Sequence, residues 1–161
     1  MLLQDSRIDP TTDNNTLFQK VVREGISELV KLFLKNPRIN PSIDNNYAIR
    51  IAALYDKSEV VKLLLQDPRV DPSAEGNNAI LNAALNGYSS VIKLLLQHPK
   101  VDPCAHDNWS IKVAICQRHL LSALYLLRDR RVNPLIKINK LYWIAAATLS
   151  AALYYTLKAR K

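Results

Sequence analysis

A 31-residue period dominates this sequence and limits the folds that it can adopt. Each repeat opens with an apolar residue, Asp or Asn, and Pro, and an Asn lies five residues after that Pro, at positions 15, 46, 77, 108 and 139. A fixed period with Pro confined to fixed positions predicts a solenoid of stacked helical repeats. The recurring tripeptides are Ile8-Asp9-Pro10, Ile39-Asn40-Pro41, Val70-Asp71-Pro72, Val101-Asp102-Pro103 and Val132-Asn133-Pro134.

Residues 70–100 are one complete unit, and its first half predicts a turn followed by a helix. Pro72 fixes its own φ and keeps Asp71 out of the helical region, so the unit opens with a turn. Asn77 is a suitable N-cap for the helix, and Gly87 is suited to end it in the left-handed conformation. The apolar face of this first helix has three- and four-residue spacing and consists of Ala79, Ile80, Ala83 and Ala84.

The second half of the unit predicts another helix. The run Val91–Leu96 reads VIKLLL, and either Ser89 or Ser90 is suited to cap it. Pro99 is expected to end it. The same run recurs as LVKLFL at 29–34 and VVKLLL at 60–65. The unit is therefore turn, helix, tight turn, helix and loop.

The unit resembles the ankyrin repeat. The run GNNAILNAA at 76–84, Gly87 and the run at 91–96 resemble the family pattern G-x-T-P-L-H-x-A-A-x-x-G-x-x-x-V-V-x-L-L-L. The period is shorter than the family's usual length of about 33 residues, and the Thr-Pro-Leu-His tetrapeptide is absent. The resemblance implies an all-α, ankyrin-type helix-turn-helix solenoid of about five repeats with a shortened hairpin loop.

The period predicts that the whole chain, 1–161, is a single domain made of repeats. Residues 1–7 align with the end of a unit, so the first full repeat is predicted to have little cover on its outer side. Either the chain belongs to a longer array, or something else covers Val21, Val22, Leu29 and Leu32. The predicted divisions are a partial repeat at 1–7, repeats at 8–38, 39–69, 70–100 and 101–131, and an atypical C-terminal capping repeat at 132–161.

Composition excludes several classes of protein. A hydrophobic fraction of 48% excludes wholesale disorder, and two cysteines do not make a disulfide framework. No apolar signal segment is seen near the N-terminus, so a cytoplasmic location is expected. Residues 1–107 carry 12 Lys+Arg and 13 Asp+Glu, whereas 108–161 carry 10 and one. We expect this asymmetry to be a solvated basic face of the repeats, with contact to an anionic partner as the alternative. The basic residues show no pattern typical of a specific nucleic-acid site.

No catalytic or metal site is predicted. The pairs Cys104/His106 and Cys116/His119 superficially have zinc-like spacing, but a helix separates them by roughly 12–14 Å. Zinc ligands must all lie within about 2.0–2.3 Å of one ion. The recurring Asp is expected to form the turn rather than an acid pair. We therefore expect no enzyme activity, no cofactor and no metal.

The positions that vary between repeats predict a binding surface. In ankyrin proteins the hairpin loops and the exposed side of the first helix form a concave surface that binds another protein, here an unidentified partner. Tyr47 and Trp109 either pack over the neighbouring repeat or anchor that partner. The candidate residues implied by the resemblance are Asp44, Glu75 and His106 on the loops, Tyr47, Asn78 and Trp109 after the presumed cap, and Tyr55, Asn86 and Gln117 near the helix end.

The C-terminal stretch 141–157 allows two interpretations. Its 17 residues carry no charge, have aromatic residues near both ends and are followed by basic residues, as in a membrane anchor. However, 17 residues is the lower limit for a span of about 20, and the repeat period continues through the stretch. We expect a two-helix capping repeat, with membrane attachment through this basic, apolar segment as the alternative function.

Overall fold

The structure, a computed structural model, describes residues 12–132, with side chains from Thr16 onward. Within this range it contains eight α-helices and no strand. This confirms the predicted all-α class. The helices are α1 (Thr12–Glu24), α2 (Ser27–Leu34), α3 (Ile43–Leu54), α4 (Ser58–Leu65), α5 (Ala74–Asn86), α6 (Ser89–Leu96), α7 (Ala105–Cys116) and α8 (Leu120–Arg128).

The helices form two layers. The first helices of successive repeats, α1, α3, α5 and α7, pack against one another in chain order, and so do the second helices, α2, α4, α6 and α8. Each first helix also packs against the second helix of its own repeat. The helix-turn-helix solenoid predicted from the 31-residue period is therefore confirmed over the described residues.

The core lies between the layers and uses the same repeat positions each time. The recurring tripeptide places an Ile or Val in the core, the first helix contributes an Ile and an Ala, and the second helix contributes a Leu. All are almost fully buried, which supplies the main stabilising term of such a fold. In chain order these are Ile39, Val70, Val101 and Val132; Ile49, Ile80 and Ile111; Ala52, Ala83 and Ala114; and Leu64, Leu95 and Leu126.

The turn between the two helices of a repeat requires a left-handed residue. Gly87 has φ 77° and ends α5, as predicted. Asp56 and Arg118 adopt the same conformation at this repeat position, with φ 54° and 62°. The predicted serine caps are wrong. Tyr88 is the N-cap of α6 and no side chain caps the helix, because Ser89 already lies inside the first turn.

Each first helix after α1 starts with a left-handed turn of three residues. In α5 this turn is Glu75-Gly76-Asn77, with φ of 52°, 64° and 66°. The equivalent residues of α3 and α7 also have positive φ. Asn, Asp and Gly tolerate this conformation best. The shortened hairpin loop predicted from the period is thus a compact left-handed turn.

The predicted cap function is wrong for Asn46 and Asn77. Asn77 lies inside the left-handed turn, and its Oδ1 accepts a hydrogen bond from the backbone N–H of Asp102 in the next repeat, at 2.7 Å. Asn46 accepts from the N–H of Asp71 in the same way, also at 2.7 Å. The Asn therefore joins adjacent repeats instead of capping its own helix.

The opening turns of the second, third and fourth repeats form as predicted. Asp71 Oδ1 accepts from the backbone N–H of Ser73 at 3.0 Å, and Asp102 Oδ1 accepts from that of Cys104 at 2.8 Å. Asn40 makes the equivalent bond in the second repeat. These carboxylates have the structural function that their position in the repeat indicates.

The outer side of the first repeat is covered only in part. Val21 and Val22 are buried in the core, so the prediction that they lack cover is wrong. They occupy the position of the Ala-Ala pair, which faces the interior of the two-layer stack. Leu29 and Leu32 are exposed, as the prediction requires.

Candidate functional site

The three candidate loop residues start the left-handed turns and lie on one edge of the first-helix layer. All three are exposed, and each contacts the turn or helix of the preceding repeat. Gln19 donates to Asp44 Oδ2 at 2.9 Å, and Asn45 donates to the carboxylate of Glu75. The ring of His106 covers Gly76, where an added Cβ would lie 2.1 Å from its Nε2. Contacts between repeats therefore hold the edge together.

Tyr47, Asn78 and Trp109 follow the left-handed turns and differ in exposure. Tyr47 packs partly against the core, and the guanidinium of Arg50 lies 5.6 Å from its ring centroid. Asn78 is half-buried and accepts a hydrogen bond from Asn82 at 2.8 Å. Trp109 is 52% exposed. The structure therefore gives Tyr47 a packing contact and leaves much of Trp109 open to solvent.

Tyr55, Asn86 and Gln117 lie at the C-terminal ends of α3, α5 and α7, and all three are exposed. Tyr55 has 49% of its surface accessible. Asn86 donates to the carbonyl of Asn82 within its own helix, so its side chain is held near the helix surface. Leu85, which the sequence analysis did not select, is also exposed beside Asn86.

Basic side chains of the first helices bind the left-handed turns. Arg50 donates to the backbone carbonyls of Asp44 and Asn45, at 2.8 and 3.1 Å. At the same repeat position, Lys112 forms an ion pair with Asp107. These contacts satisfy backbone carbonyls and a carboxylate of the turns and hold the turns in shape.

A shallow cleft between α1 and α3 was also missed by the sequence analysis. It contains Tyr47 together with two basic side chains, Lys20 and Arg23, of α1. The signal in the sequence is the three-residue spacing of the two basic residues, which places them on one face of a helix. The complete lining is Thr16, Gln19, Lys20, Arg23 and Tyr47.

The sequence pairs Cys104/His106 and Cys116/His119 lie at opposite ends of α7. A ring nitrogen of His119 lies 3.1 Å from the carbonyl oxygen of Leu85, and the two cysteines do not form a disulfide with each other. In the part of the chain that the structure describes, no three His, Cys, Asp or Glu residues are grouped as metal ligands.

Comparison with protein families agrees with this architecture. Residues 49–138, more than half of the chain, match the family model described as ankyrin repeats in three copies. The chain belongs to the ankyrin repeat family. Ankyrin repeats are generally protein–protein interaction modules and are typically non-enzymatic. A search of curated proteins finds no match to this ankyrin repeat chain.

The second interpretation of the C-terminal stretch, a membrane anchor, falls on residues 141–157, which lie outside the described residues. Among residues 12–132, none of the helices is both long enough and apolar enough to cross a membrane. The choice between a capping repeat and an anchor therefore stays a prediction.

Proposed function

We propose that this ankyrin repeat chain is a non-catalytic module that binds a partner protein. The binding surface, called here the first-helix face, consists of the left-handed turns and the exposed sides of α3, α5 and α7. One observation carries the proposal. Large apolar or aromatic side chains are exposed along three successive first helices, namely Tyr55 directly after α3, Leu85 in α5 and Trp109 in α7, although the core positions of these helices are buried.

Large aromatic side chains are frequent anchors of protein interfaces, because they bury much area at a low cost in side-chain entropy. Tyr55 and Trp109 are suited to this function. Polar residues surround them and are suited to form the rim of the interface. The residues proposed to contact the partner are Asp44, Tyr47, Tyr55, Glu75, Asn78, Asn86, His106, Trp109 and Gln117.

The first-helix face is also held in a defined shape before binding. Glu75 and His106 each contact the turn of the preceding repeat, and Asp44 contacts Gln19 of α1. Asn46 and Asn77 join each turn to the next repeat. A surface with its bound shape already formed loses little conformational entropy on association. This rigidity supports a recognition module whose specificity depends on the variable side chains.

The test of this proposal is a triple variant, Tyr55→Ala, Asn86→Ala and Gln117→Ala. The three side chains are exposed, so helicity and thermal midpoint are expected to stay nearly unchanged. Proteins captured by the wild-type chain are identified by mass spectrometry, and a purified candidate is then titrated calorimetrically. A loss of affinity of about tenfold or more supports the proposal.

The matched control changes exposed polar residues of the second helices, Glu28→Ala and Glu59→Ala, which lie on the other layer. This variant is expected to bind as the wild type does. If the triple variant binds the purified partner as tightly as the wild type, the assignment to the first-helix face is wrong.

Two other expectations belong to this proposal. Cys104 and Cys116 do not form a disulfide with each other, which suits a reducing compartment such as the cytoplasm. Attachment to membranes through 141–157 is the alternative function. Binding to liposomes and to nucleic acid at two salt concentrations separates these classes, since binding driven by charge alone weakens with salt.

A further inference from the structure

Three positions on the second helices change from polar to apolar in the fourth repeat. In the first three repeats they hold polar or charged residues, whereas α8 has leucine at all three. Leu120, Leu121 and Leu124 are 47%, 54% and 40% exposed, and we call them the leucine patch. The polar equivalents are Ser27, Glu28 and Lys31; Ser58, Glu59 and Lys62; and Ser89, Ser90 and Lys93.

Core packing does not account for the leucine patch. On the buried side of α8 the side chains become smaller, because Ser122 and Ala123 replace the Val91 and Ile92 of α6. The helix therefore gains apolar residues on its outer side while it loses apolar volume on its inner side. Exposed apolar groups that cluster on one face are typical of an interaction site.

Regular stacking of a further repeat would also leave Leu121 and Leu124 exposed. On α4, which has α2 on one side and α6 on the other, Glu59 and Lys62 occupy two of the same positions and remain exposed. A fifth repeat stacked in the same manner would thus cover other parts of α8. Something outside the solenoid pattern must cover the leucines if they are covered at all.

The charge around the patch is of one sign. Arg118 precedes α8 by two residues, Arg128 ends it, and both are exposed. Neither α6 nor α8 contains an acidic residue, whereas α2 and α4 carry Glu28 and Glu59 at the position of Leu121. The carboxylate that follows α8, Asp129, forms an ion pair with Arg131 at 2.8 Å. A ligand for this surface therefore needs apolar groups and negative charge.

We propose that the leucine patch is the docking site for an acidic amphipathic helix of a partner protein. Apolar side chains of that helix, spaced three and four residues apart, pack on Leu120, Leu121 and Leu124. Its Asp or Glu residues face Arg118 and Arg128. The site lies on the second-helix layer and is independent of the first-helix face.

A second copy of the chain fits this surface less well, since pairing two patches would bring the arginines of both copies together. A membrane surface also fits less well. Interfacial helices bury a broad apolar face along their length, whereas α8 exposes three leucines within nine residues. Charge complementarity thus favours the acidic helix.

The test uses a synthetic peptide of about 18 residues, five helical turns, with Leu at i, i+3, i+4 and i+7 and Glu at exposed positions. Its binding to the full chain is measured by fluorescence anisotropy. The main variant, L120S/L121E/L124K, restores the residues that repeat two has at these positions. It is expected to weaken peptide binding by about tenfold or more, with an unchanged thermal midpoint.

Two controls define the site. The variant E28S/K31S, at the same positions of α2, is expected to bind the peptide as the wild type does. A second variant, R118D/R128Q, uses residues found at these positions in repeat two and is expected to reduce the salt dependence of binding. A peptide with Lys in place of Glu is expected to bind weakly.

Several results would overturn the proposal. One is that the wild type does not bind the acidic peptide, and another is that the leucine variant binds it equally well. Preferential, patch-dependent binding to phosphatidylserine-containing vesicles would assign the patch to a membrane. A dimer in light scattering that the leucine variant abolishes would assign it to a second copy. None of these outcomes bears on the first-helix face, whose variant leaves the leucines intact.

Discussion

At the residue scale, arginines near the repeat ends connect neighbouring repeats. Arg69 donates to the carbonyls of Ile39 and Leu34, at 2.9 and 3.0 Å. Arg131 makes the equivalent contacts two repeats later, with Val101 and with Leu96 at 2.9 Å. The planar guanidinium reaches two carbonyls at once, which an ammonium group does less well.

We expect Arg69→Ala to lower the free energy of unfolding by about 1–2 kcal/mol, because it removes hydrogen bonds from a charged donor that is partly exposed. Arg38→Ala is the matched control, since Arg38 holds this position in the first repeat and the described residues include no repeat before it. It should cost less than about 0.5 kcal/mol. Urea titrations measure both values, and equal losses would contradict the proposed contribution of Arg69.

The partner of Arg69 gives this contact a pH dependence. The hydrogen bond from Arg69 lowers the pKa of Asp67 below its ordinary 3.8. Since the pKa of Asp67 is lower in the folded state, its ionised form stabilises the fold above about pH 5. This contribution is lost as the pH falls below 3.8 towards the folded pKa.

We therefore expect the stability difference between the wild type and Asp67→Asn to be largest near neutral pH. The difference should shrink as the pH is lowered to about 3, as the linkage of protonation to folding requires. Urea titrations of both proteins across this range provide the measurement. A difference that does not vary with pH would show that the charge of Asp67 is not involved.

At the element scale, the left-handed turns at the starts of α3 and α5 connect each repeat to the next. In the third repeat Asn77 is only 8% exposed and bonds to the N–H of Asp102. Its φ of 66° is one that most side chains disfavour. The residue therefore satisfies a backbone donor of the next repeat and tolerates the turn.

Two substitutions separate these contributions. Asn77→Gly keeps the left-handed conformation accessible and loses the hydrogen bond, at a cost of about 1–3 kcal/mol for an unsatisfied donor. Asn77→Ala also strains the backbone, which adds roughly 1 kcal/mol. In denaturant titrations the free energy of unfolding should therefore be highest for the wild type, lower for Asn77→Gly and lowest for Asn77→Ala. If the two variants are equally stable, the left-handed conformation makes no contribution to stability.

The Asn also shows where prediction from the sequence ends. Apolar spacing predicted both helices and the core Leu95, because burial depends on a periodicity that is visible in the sequence. The cap assignment for Asn77 was wrong because Asn suits an N-cap and a left-handed turn equally well. Its partner, Asp102, lies 25 residues away, and local sequence gives no sign of a contact at that distance.

The surface residues were predicted to a similar extent. The variable positions of the repeat correctly indicated that Tyr55 is exposed, as the structure places it. The packing of Tyr47 under Arg50 depends on the backbone of the left-handed turn, which was not foreseen. The leucine patch was visible in the sequence, since Leu124 replaces the Lys of three earlier repeats, but comparison of outer positions is needed to find it.

At the scale of the whole molecule, each repeat packs on its neighbours, so stability should be distributed along the stack. Leu64 and Leu95 are fully buried at the same position of adjacent repeats. Either change to Ala should cost roughly 2–5 kcal/mol. Leu32→Ala, at the exposed outer side of the first repeat, should cost much less, and so should Leu2→Ala, which lies outside the described residues. Similar losses at all four positions in denaturant titrations would contradict this distribution.

The C-terminal end of the described solenoid has groups that a further repeat would satisfy. Asn108 is 8% exposed, and its Oδ1 has no hydrogen-bond partner among the described residues. In the two preceding repeats this oxygen accepts from a backbone N–H 25 residues later. The same offset predicts the N–H of Asn133 as its donor. Residues 132–161, which keep Asn139 and the Ala-Ala pair at 145–146, are thus expected to stack as a capping repeat.

This expectation makes truncation informative. A chain that ends at Pro134 would expose the apolar end of the fourth repeat, and uncapped repeat arrays lose solubility and stability. We expect the truncated chain to melt at a lower temperature than the full chain, or to aggregate. A chain that lacks only 158–161 is the control, because it keeps the predicted helices and should melt near the full chain.

Fractionation of cells that express each chain distinguishes the cap from an anchor. A capping repeat leaves the full chain in the supernatant without detergent, because its apolar residues pack on the fourth repeat. The anchor predicts the reverse, since a spanning segment stays in the bilayer when peripheral proteins are extracted. A full chain that pellets with membranes and resists carbonate, beside a soluble chain ending at Pro134, would therefore exclude the capping repeat.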